Sequence, residues 1–282
     1  MSKEIVKTPL SKYYGGKFNM IKFLLQFVPP HKVYVEVFGG SGALLFAKEP
    51  SKLEVFNDID SEVVNFFRIL RDKRKFKEFY RQVSLVPYSR EEFKNFLKTL
   101  GEGNEVERAV KFFVCVKQSF GGQLQNTGWS YGKTTNKDVS AYLSAIENLP
   151  QVVERLRRVQ IENRDYRKIF EIYDSEDTFF YCDPPYVKDV RKSYYNYRYE
   201  FTLEDHKEFV ERVLKLKGMV LISGYEHPIY ERLEKEGWKK SYYFRRASAS
   251  LKSRPVVKEV VWWNQNLEEK LKRKKRMPTL YE

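Results

Sequence analysis

The spacing of apolar residues changes twice along the chain, and each change marks a different kind of predicted secondary structure. Residues 33–38 and 53–57 are β-branched and apolar, as is typical of buried strands. From about 60 to 156 the apolar residues recur at intervals of three and four, which predicts helices without an intervening strand. Strand patterns then return at 158–163, 178–182, 218–223, 242–246 and 259–264. This is the pattern of an α/β protein with a helical middle.

The apolar run at 178–182 ends in the sequence Asp183-Pro184-Pro185-Tyr186. Two consecutive prolines cannot continue a strand, so a rigid extended turn is predicted at the strand's carboxyl end, where open α/β sheets bind ligands. The Asp183 carboxylate and the Pro184 carbonyl can accept the two hydrogens of an exocyclic amino group, and a planar base can stack on Tyr186. Adenine is such a base. The alternative is a proline-rich turn that only packs a tyrosine.

A glycine-rich turn follows the first predicted strand. That strand contains Glu36 and runs through Phe38 into Gly39-Gly40-Ser41-Gly42, after which a helical pattern begins. A strand, a glycine turn and a helix together are typical of nucleotide binding. However, the spacing is not Gly-x-Gly-x-x-Gly, and an acid at this position would repel a pyrophosphate. Glu36 suits instead a ligand with a cationic amine and no phosphate, such as S-adenosylmethionine.

Two residues near the N-terminus have both a ligand-binding and a structural interpretation. Asp58 follows the second strand, where a carboxylate can accept hydrogen bonds from ribose hydroxyls or can cap the helix predicted at 61–70. Lys17 follows Gly15-Gly16, a pair that lets the backbone approach a ligand closely while the lysine brings a positive charge. An ordinary turn with a solvated lysine explains the same residues.

The charge balance favours a polyanionic partner. In 282 residues, 52 Lys and Arg exceed 38 Asp and Glu by 14, and 42% of the residues are hydrophobic. A surplus of this size, with 20 Tyr and 21 Phe, favours nucleic acid over a membrane surface. Cys115 and Cys182 do not form a disulfide framework or a zinc motif, so no metal is expected. No apolar run approaches about 18 residues and no signal-peptide core is present, which predicts a soluble cytoplasmic protein.

Four motifs in order, Tyr14-Gly-Gly-Lys17, Phe38-Gly-Gly-Ser-Gly42, Asn57-Asp58 and Asp183-Pro-Pro-Tyr186, resemble those of the Dam-type family of DNA adenine-N6 methyltransferases. The resemblance covers most of the chain. It implies a Rossmann-like sheet of seven strands with the last strand antiparallel, S-adenosylmethionine as methyl donor, and an inserted helical target-recognition module. We therefore expect a catalytic domain at residues 1–60 and 157–282 and the inserted module at 61–156.

The resemblance also implies roles for single residues. Asp183, Pro184 and Tyr186 are expected to act in catalysis. Asp165 and Tyr166 form an Asp-aromatic pair that in the family approaches the adenine of the cofactor, and a helix cap is the alternative for Asp165. The residues expected to bind the cofactor are Tyr13, Lys17, Glu36, Phe38, Gly39, Gly40, Ser41, Gly42, Asp58, Asp165, Tyr166 and Asp183.

Three polar segments are candidates for DNA contacts. Residues 119–133 interrupt the helical middle with glycines, amides and aromatic rings, which can read base edges or stack on bases; a packing loop with Trp129 in the core is the alternative. Residues 187–201 interleave basic and aromatic side chains, and 247–255 join the last two strands. The residues expected to bind DNA are Gln123, Asn126, Trp129, Lys133, Arg191, Lys192, Tyr194, Arg198, Lys252 and Arg254.

The predicted reaction is direct methylation of the N6 amino group of an adenine in double-stranded DNA. The base must leave the helical stack to reach a buried methyl donor, and acceptance of its amino hydrogens by Asp183 and Pro184 relieves the positive charge that develops on nitrogen. Alternatives are a cytosine-N4 or RNA amino methyltransferase, or a DNA-binding protein that has the fold without turnover. A monomer of prokaryotic or phage origin is expected, with a cognate restriction endonuclease as a candidate partner.

Overall fold

The computed structural model describes residues 6–190, 198–246 and 256–276. Its seven strands are β1 (Val33–Glu36), β2 (Leu53–Asn57), β3 (Val159–Glu162), β4 (Thr178–Cys182), β5 (Met219–Gly224), β6 (Lys239–Arg246) and β7 (Val256–Trp263). Its helices are α1 (Ile21–Leu24), α2 (Ala43–Ala47), α3 (Ser61–Arg71), α4 (Lys73–Leu85), α5 (Arg90–Lys98), α6 (Glu105–Gln118), α7 (Lys137–Glu147), α8 (Leu149–Leu156), α9 (Tyr166–Tyr173), α10 (Leu203–Val213), α11 (Glu231–Lys235) and α12 (Gln265–Arg276). Short 3₁₀ turns occupy Phe18–Met20, Leu25–Phe27, Phe120–Gly122, Lys188–Val190 and Pro228–Tyr230.

The strands form one mixed sheet in the order β3-β2-β1-β4-β5-β7-β6. β4 is parallel to both β1 and β5, whereas β7 is antiparallel to both β5 and β6. The predicted Rossmann-like sheet of seven strands with an antiparallel last strand is therefore confirmed. None of the helices in the described residues is both long and apolar enough to cross a membrane.

The described residues divide into two compact units, of which the first contains residues 6–21, Gly39–Pro50 and Phe56–Asn163. Helices α3 to α8 belong to this unit, and residues 61–156 contain no strand, as the helical spacing predicts. The helices bury an aromatic core in which Phe66 lies 5.1 to 5.8 Å, ring centre to ring centre, from four other phenylalanines: Phe67, Phe79, Phe112 and Phe113. The boundaries expected for an inserted recognition module stay a prediction.

The second unit contains Lys22–Phe38, Ser51–Val55 and the chain from Arg164 onward. Its core lies between the sheet and helices α9, α10 and α11, which contribute apolar residues such as Ile169, Phe209 and Leu233. Every residue of β4 and β5 is buried. These strands are covered on both faces, which explains their near-continuous apolar sequence and sets a rigid base for the residues at their carboxyl ends.

Candidate active site

In the turn Gly39-Gly40-Ser41-Gly42 of the first unit, the N–H groups of the three glycines donate to acceptors within the protein. The Gly39 N–H donates to the Asn57 carbonyl at 2.7 Å, and the Gly42 N–H donates to the Gly39 carbonyl at 2.7 Å. The Gly40 N–H donates to Oδ2 of Asp58 at 2.7 Å. A turn that binds a phosphate would present such donors to the anion. The hydrogen-bond pattern therefore suits a ligand without a phosphate.

Two of these glycines have separate physical requirements. A Cβ on Gly39 would overlap the ring of Phe56 and lie 2.8 Å from the Asn57 carbonyl oxygen, so no side chain fits there. Gly40 has φ +47°, a left-handed backbone conformation, and a Cβ there would lie 3.5 Å from the ring of Tyr13. Gly39 is thus required by close packing, and Gly40 by its backbone conformation.

The carboxylate of Asp58 is held by backbone N–H donors. Besides the Gly40 N–H, the Asp60 N–H donates to its Oδ1 at 2.8 Å. Burial of the carboxylate raises the pKa of Asp58 to about 6, against the opposing effect of these hydrogen bonds. The helix-cap interpretation of Asp58 is wrong, because Asp60 caps α3 by accepting from the Glu62 N–H at 2.9 Å.

The segment that contains Tyr13 and Lys17 folds back on itself. Lys17 is 7% exposed, which excludes a solvated lysine, and its ammonium donates to the Gly15 carbonyl at 2.9 Å. The Tyr14 N–H donates to the Gly122 carbonyl at 3.3 Å. Gly122 packs so closely here that a Cβ would meet the carbonyl of Lys12. The start of the loop 119–133 is therefore fixed to the Tyr14-Gly-Gly-Lys17 motif.

In the second unit, Asp183 follows β4 and lies beside the end of β5. The parallel register pairs Cys182 with Ile222, so the next residues, Asp183 and Ser223, are neighbours. The Ser223 hydroxyl donates to Oδ1 of Asp183 at 2.7 Å, and the Tyr181 hydroxyl lies 3.0 Å from the same serine oxygen. Both Tyr181 and Ser223 are buried. The carboxylate predicted to act on the target base thus has a defined orientation.

Tyr186 is also held by a neighbouring strand. Its hydroxyl donates to Oε2 of Glu259 on β7 at 3.0 Å, and its ring meets the ring of Tyr225 edge-on at 4.6 Å between centres. Tyr186 and Glu259 are 7% and 6% exposed, and Pro184 is buried. The turn thus places a carboxylate, a proline carbonyl and an aromatic ring within four consecutive residues.

Glu36 is buried at the carboxyl end of β1, where the register pairs it with Tyr181 of β4. The Tyr34 hydroxyl donates to Oε2 of Glu36 at 2.8 Å. Burial, followed by the negative charge of Glu36, raises the pKa of Tyr34 well above its usual value, so this hydroxyl stays a donor.

The pair Asp165 and Tyr166 lies at the start of α9. Asp165 caps this helix through the Arg167 N–H at 2.9 Å and pairs with the Arg167 guanidinium at 2.8 Å, so the helix-cap role is present. The Tyr166 ring lies 5.7 Å from the rings of Phe38 and Phe209. Burial raises the pKa of Tyr166 to about 12, and its hydroxyl has no hydrogen-bond partner among the described residues. Adenine recognition by this pair stays a prediction.

Within the loop 119–133, Trp129 is fixed on the surface of the first unit. Its indole N–H donates to Oε1 of Gln118 at 3.1 Å, and its ring stacks on Tyr131 at an interplanar angle of 13°. The Arg90 guanidinium lies 4.7 and 4.9 Å from the centres of these two rings. Trp129 is half-buried, so the interpretation of a core tryptophan is wrong. Trp129 instead forms a cation–aromatic cluster with the exposed residues Arg90 and Tyr131.

The other residues expected to bind DNA are exposed, buried or outside the described residues. Asn126, with φ +47°, and Lys133 are exposed, whereas Gln123 is buried and its Oε1 has no hydrogen-bond partner within the described chain. Arg198 is exposed, with its guanidinium 5.9 Å from the ring centre of Tyr199. Outside the described residues lie Arg191, Lys192, Tyr194, Lys252 and Arg254.

Ser223 and Glu259 were not among the residues expected from the sequence. Ser223 is marked by being a polar residue near the end of the otherwise apolar strand β5, whereas Glu259 lies in the middle of β7 beside Lys258 and has no comparable signal. Their partners, however, lie 40 and 73 residues away in the chain.

The strand order, the glycine turn after β1 and the Asp-Pro-Pro-Tyr turn after β4 define a Rossmann-like methyltransferase. Residues 13–261 match the family of D12 class N6 adenine-specific DNA methyltransferases, and the chain belongs to this family. It is accordingly an enzyme that methylates adenine in DNA, as the four motifs predict.

Several characterised proteins are similar to the chain over most of its length. The type II methyltransferase M1.LlaDCHI of Lactococcus lactis subsp. cremoris is 26% identical over 91% of this chain and 95% of its own length. The DNA N-6-adenine-methyltransferase of Escherichia phage P1 is 23% identical over 89% of this chain, which corresponds to 34% of that protein. The DNA adenine methylase of Vibrio cholerae is 23% identical over 79% of this chain and 83% of its own length.

Proposed function

We propose that the enzyme takes the methyl group from S-adenosylmethionine and acts on an adenine flipped out of double-stranded DNA. The observation that carries this proposal is the Asp183 carboxylate, held by Ser223 at the carboxyl end of β4 and followed by Pro184 and the buried Tyr186. In a duplex the adenine N6 lies within the base stack. The acceptors of this enzyme lie at the carboxyl end of a strand, so the adenine must be extruded from the duplex to reach them.

The residues of the glycine turn and its neighbours fit S-adenosylmethionine. This cofactor supplies an electrophilic methyl group on a sulfonium and carries no phosphate. The internal use of the turn's N–H groups supports a ligand without a phosphate, and the buried Glu36 carboxylate supports a cationic one. Asp58 would accept hydrogen bonds from ribose hydroxyls, and Gly40, which has no side chain, would leave room for the adenosine.

We assign the chemical roles to the Asp-Pro-Pro-Tyr turn. The Asp183 carboxylate and the Pro184 carbonyl would each accept one hydrogen of the target amino group, which favours a tetrahedral nitrogen and offsets its developing positive charge. Tyr186 would stack on the extruded ring and hold it against these acceptors. Positioning of this kind can lower a barrier by about 7–11 kcal/mol at the upper end.

DNA would be bound by the loop 119–133 and the basic segments at 187–201 and 247–255. The surface cluster of Arg90, Trp129 and Tyr131 supports this assignment, because cationic groups bind phosphates and aromatic groups stack on bases. The name of the lactococcal relative, a type II methyltransferase, supports a cognate restriction endonuclease as partner. The bacterial and phage relatives of this chain support action in the cytoplasm. We propose that the enzyme is a monomer.

The test is transfer of a labelled methyl group from S-adenosylmethionine to double-stranded DNA, followed by nucleoside analysis. We expect the label in N6-methyladenine. Label in N4-methylcytosine would contradict the assigned base, and label only in RNA would contradict the assigned polymer. Binding to DNA without transfer would indicate a silent DNA-binding protein.

A further inference from the structure

We propose that Ser223, with Tyr181 behind it, is a positioning residue that orients the Asp183 carboxylate toward the amino group of the target base. The inference rests on the proposed role of Asp183. It assigns a function in the methylation reaction to β5, a strand that carries none of the four motifs.

The direction of the hydrogen bonds follows from the number of protons on each group. An ionised carboxylate only accepts, so the single hydroxyl proton of Ser223 points to Oδ1 of Asp183. The Tyr181 hydroxyl must then donate to the serine oxygen, 3.0 Å away. Burial, followed by the charge of Asp183, raises the pKa of Tyr181 well above its usual value, which keeps this hydroxyl protonated. The three groups form one directed chain that ends on Asp183.

The sheet register explains why this chain of hydrogen bonds is rigid. Tyr181 lies on β4 and Asp183, two residues later, directly follows the strand, so the two side chains project to the same side. Ser223 lies on β5 directly beside them, and both tyrosine and serine are at most 2% exposed. With Oδ1 fixed, rotation of the Asp183 carboxylate is restricted. An ionised carboxylate has about four acceptor sites, so a bond to Ser223 leaves capacity for the amino group of a base.

A purely structural role for the Ser223 hydroxyl makes a different prediction. A buried hydroxyl without a partner destabilises a protein, and Asp183 would then serve only to satisfy it. In that case removal of the hydroxyl changes stability and leaves the methylation rate intact. Orientation of an acceptor toward developing charge acts instead on the chemical step, because a fixed acceptor does not have to reorganise in the transition state.

The experiment compares Ser223→Ala with Thr178→Val. Thr178 is buried at the opposite end of β4, where its hydroxyl donates to the Tyr173 carbonyl at 2.7 Å, so this control also removes one buried hydroxyl from the sheet. Single-turnover methylation of duplex DNA and equilibrium binding of S-adenosylmethionine and DNA are measured for each variant. We expect Ser223→Ala to slow methyl transfer by about 10–100-fold, which is the loss typical when a hydrogen bond that orients a functional side chain is removed. Both affinities should stay unchanged. Thr178→Val should keep the wild-type rate.

Two further variants make the result decisive. Ser223→Thr keeps the hydroxyl and should restore most of the rate. Tyr181→Phe removes only the donor behind Ser223 and should give a smaller loss than Ser223→Ala. If Ser223→Ala does not fold, Tyr181→Phe decides the question, and an unchanged rate in that variant overturns the inference.

The control for the underlying assignment is Asp183→Ala. A normal rate in Ser223→Ala together with an inactive Asp183→Ala overturns the role of Ser223 and leaves the proposed function intact. Substantial activity in Asp183→Ala overturns the proposed function itself. The two failures are therefore distinguishable.

Discussion

Asp58 beside the glycine turn of the first unit and Asp183 in the Asp-Pro-Pro-Tyr turn of the second unit are both carboxylates, but they are held by different means. Asp58 is fixed by backbone N–H groups that lie 18 and 2 residues away in the chain. Asp183 is fixed by the side chain of Ser223, 40 residues away, and Tyr186 by Glu259, 73 residues away.

The difference determines how each site responds to substitution. Backbone donors survive any change of side chain, so the first site is sensitive mainly to the space around its glycines and to the charge of Asp58. The second site depends on hydroxyl and carboxyl groups that single substitutions remove. The following substitutions test this contrast, beginning with the variant that should lose the most activity.

Asp183→Ala should abolish methylation while the protein stays folded, because the acceptor at the reacting nitrogen is lost. Single-turnover transfer and thermal unfolding measure the two properties. The matched control is Asp174→Ala, whose carboxylate accepts the backbone N–H groups of Lys217 and Gly218 at 3.0 Å near the opposite end of the strands. That variant should lose stability and keep its rate. Near-normal turnover in Asp183→Ala would contradict the role of Asp183 as acceptor at the reacting nitrogen.

Gly39→Ala should destabilise the protein by about 1–3 kcal/mol, since the added methyl group overlaps Phe56 and approaches the Asn57 carbonyl to 2.8 Å. Cofactor affinity should fall with it. Gly128→Ala is the control, because a Cβ there meets nothing within 4 Å. Urea unfolding of both variants gives the comparison, and equal stabilities would mean that the turn adjusts to a side chain.

Asp58→Ala should weaken binding of S-adenosylmethionine by about 1–3 kcal/mol, the usual cost when buried polar groups lose a hydrogen-bond partner. Asp60→Ala is the control: it removes the cap of α3 and should cost about 1 kcal/mol of stability without changing cofactor affinity. Calorimetric titration measures both variants. Unchanged affinity in Asp58→Ala would remove the ribose role.

Asp58 also predicts a pH dependence. Its folded pKa of about 6 lies above the unfolded value near 3.9, so protonation favours the folded state. The contribution of this group to stability therefore rises as the pH falls from 6 towards 4. Cofactor affinity should change in the opposite direction below pH 6, because ribose hydroxyls need the carboxylate as acceptor. Asp58→Asn should flatten the affinity profile; a wild-type profile in that variant would assign the titration to another group.

Tyr186→Phe should have the smallest effect, because the ring survives and only the hydrogen bond to Glu259 is lost. Tyr186→Ala should lose about 1–3 kcal/mol of base stacking and turn over poorly. Fluorescence of 2-aminopurine at the target position reports base flipping and should be brighter with the Ala variant than with wild type. If Phe and Ala variants are equally inactive, the hydroxyl and its bond to Glu259 matter more than the ring.

The class of fold, the helical middle and the positions of the four motifs follow from the amino-acid sequence alone. These features are local: strand and helix periodicities repeat within a few residues, and Gly39 or Pro184 restricts the backbone at its own position. The position of Asp183 in a turn after a strand was predictable because the two prolines that follow it restrict the backbone, whereas its role in catalysis stays a prediction. Glu36 was recognisable in the sequence because it is an acid within an otherwise apolar strand, which is also a local feature.

The groups that hold the motif residues in place are evident only from the folded chain. Asp60 rather than Asp58 caps α3, Trp129 stacks with Tyr131 on the surface rather than in the core, and Ser223 orients Asp183. The positions of Trp129 and Ser223 depend on the packing of a loop and on the register of neighbouring strands, and Asp58 accepts instead from the Gly40 N–H, 18 residues away in the chain. A register shift of one residue would turn Ser223 to the other face of the sheet, and nothing near Asp183 in the sequence specifies that register.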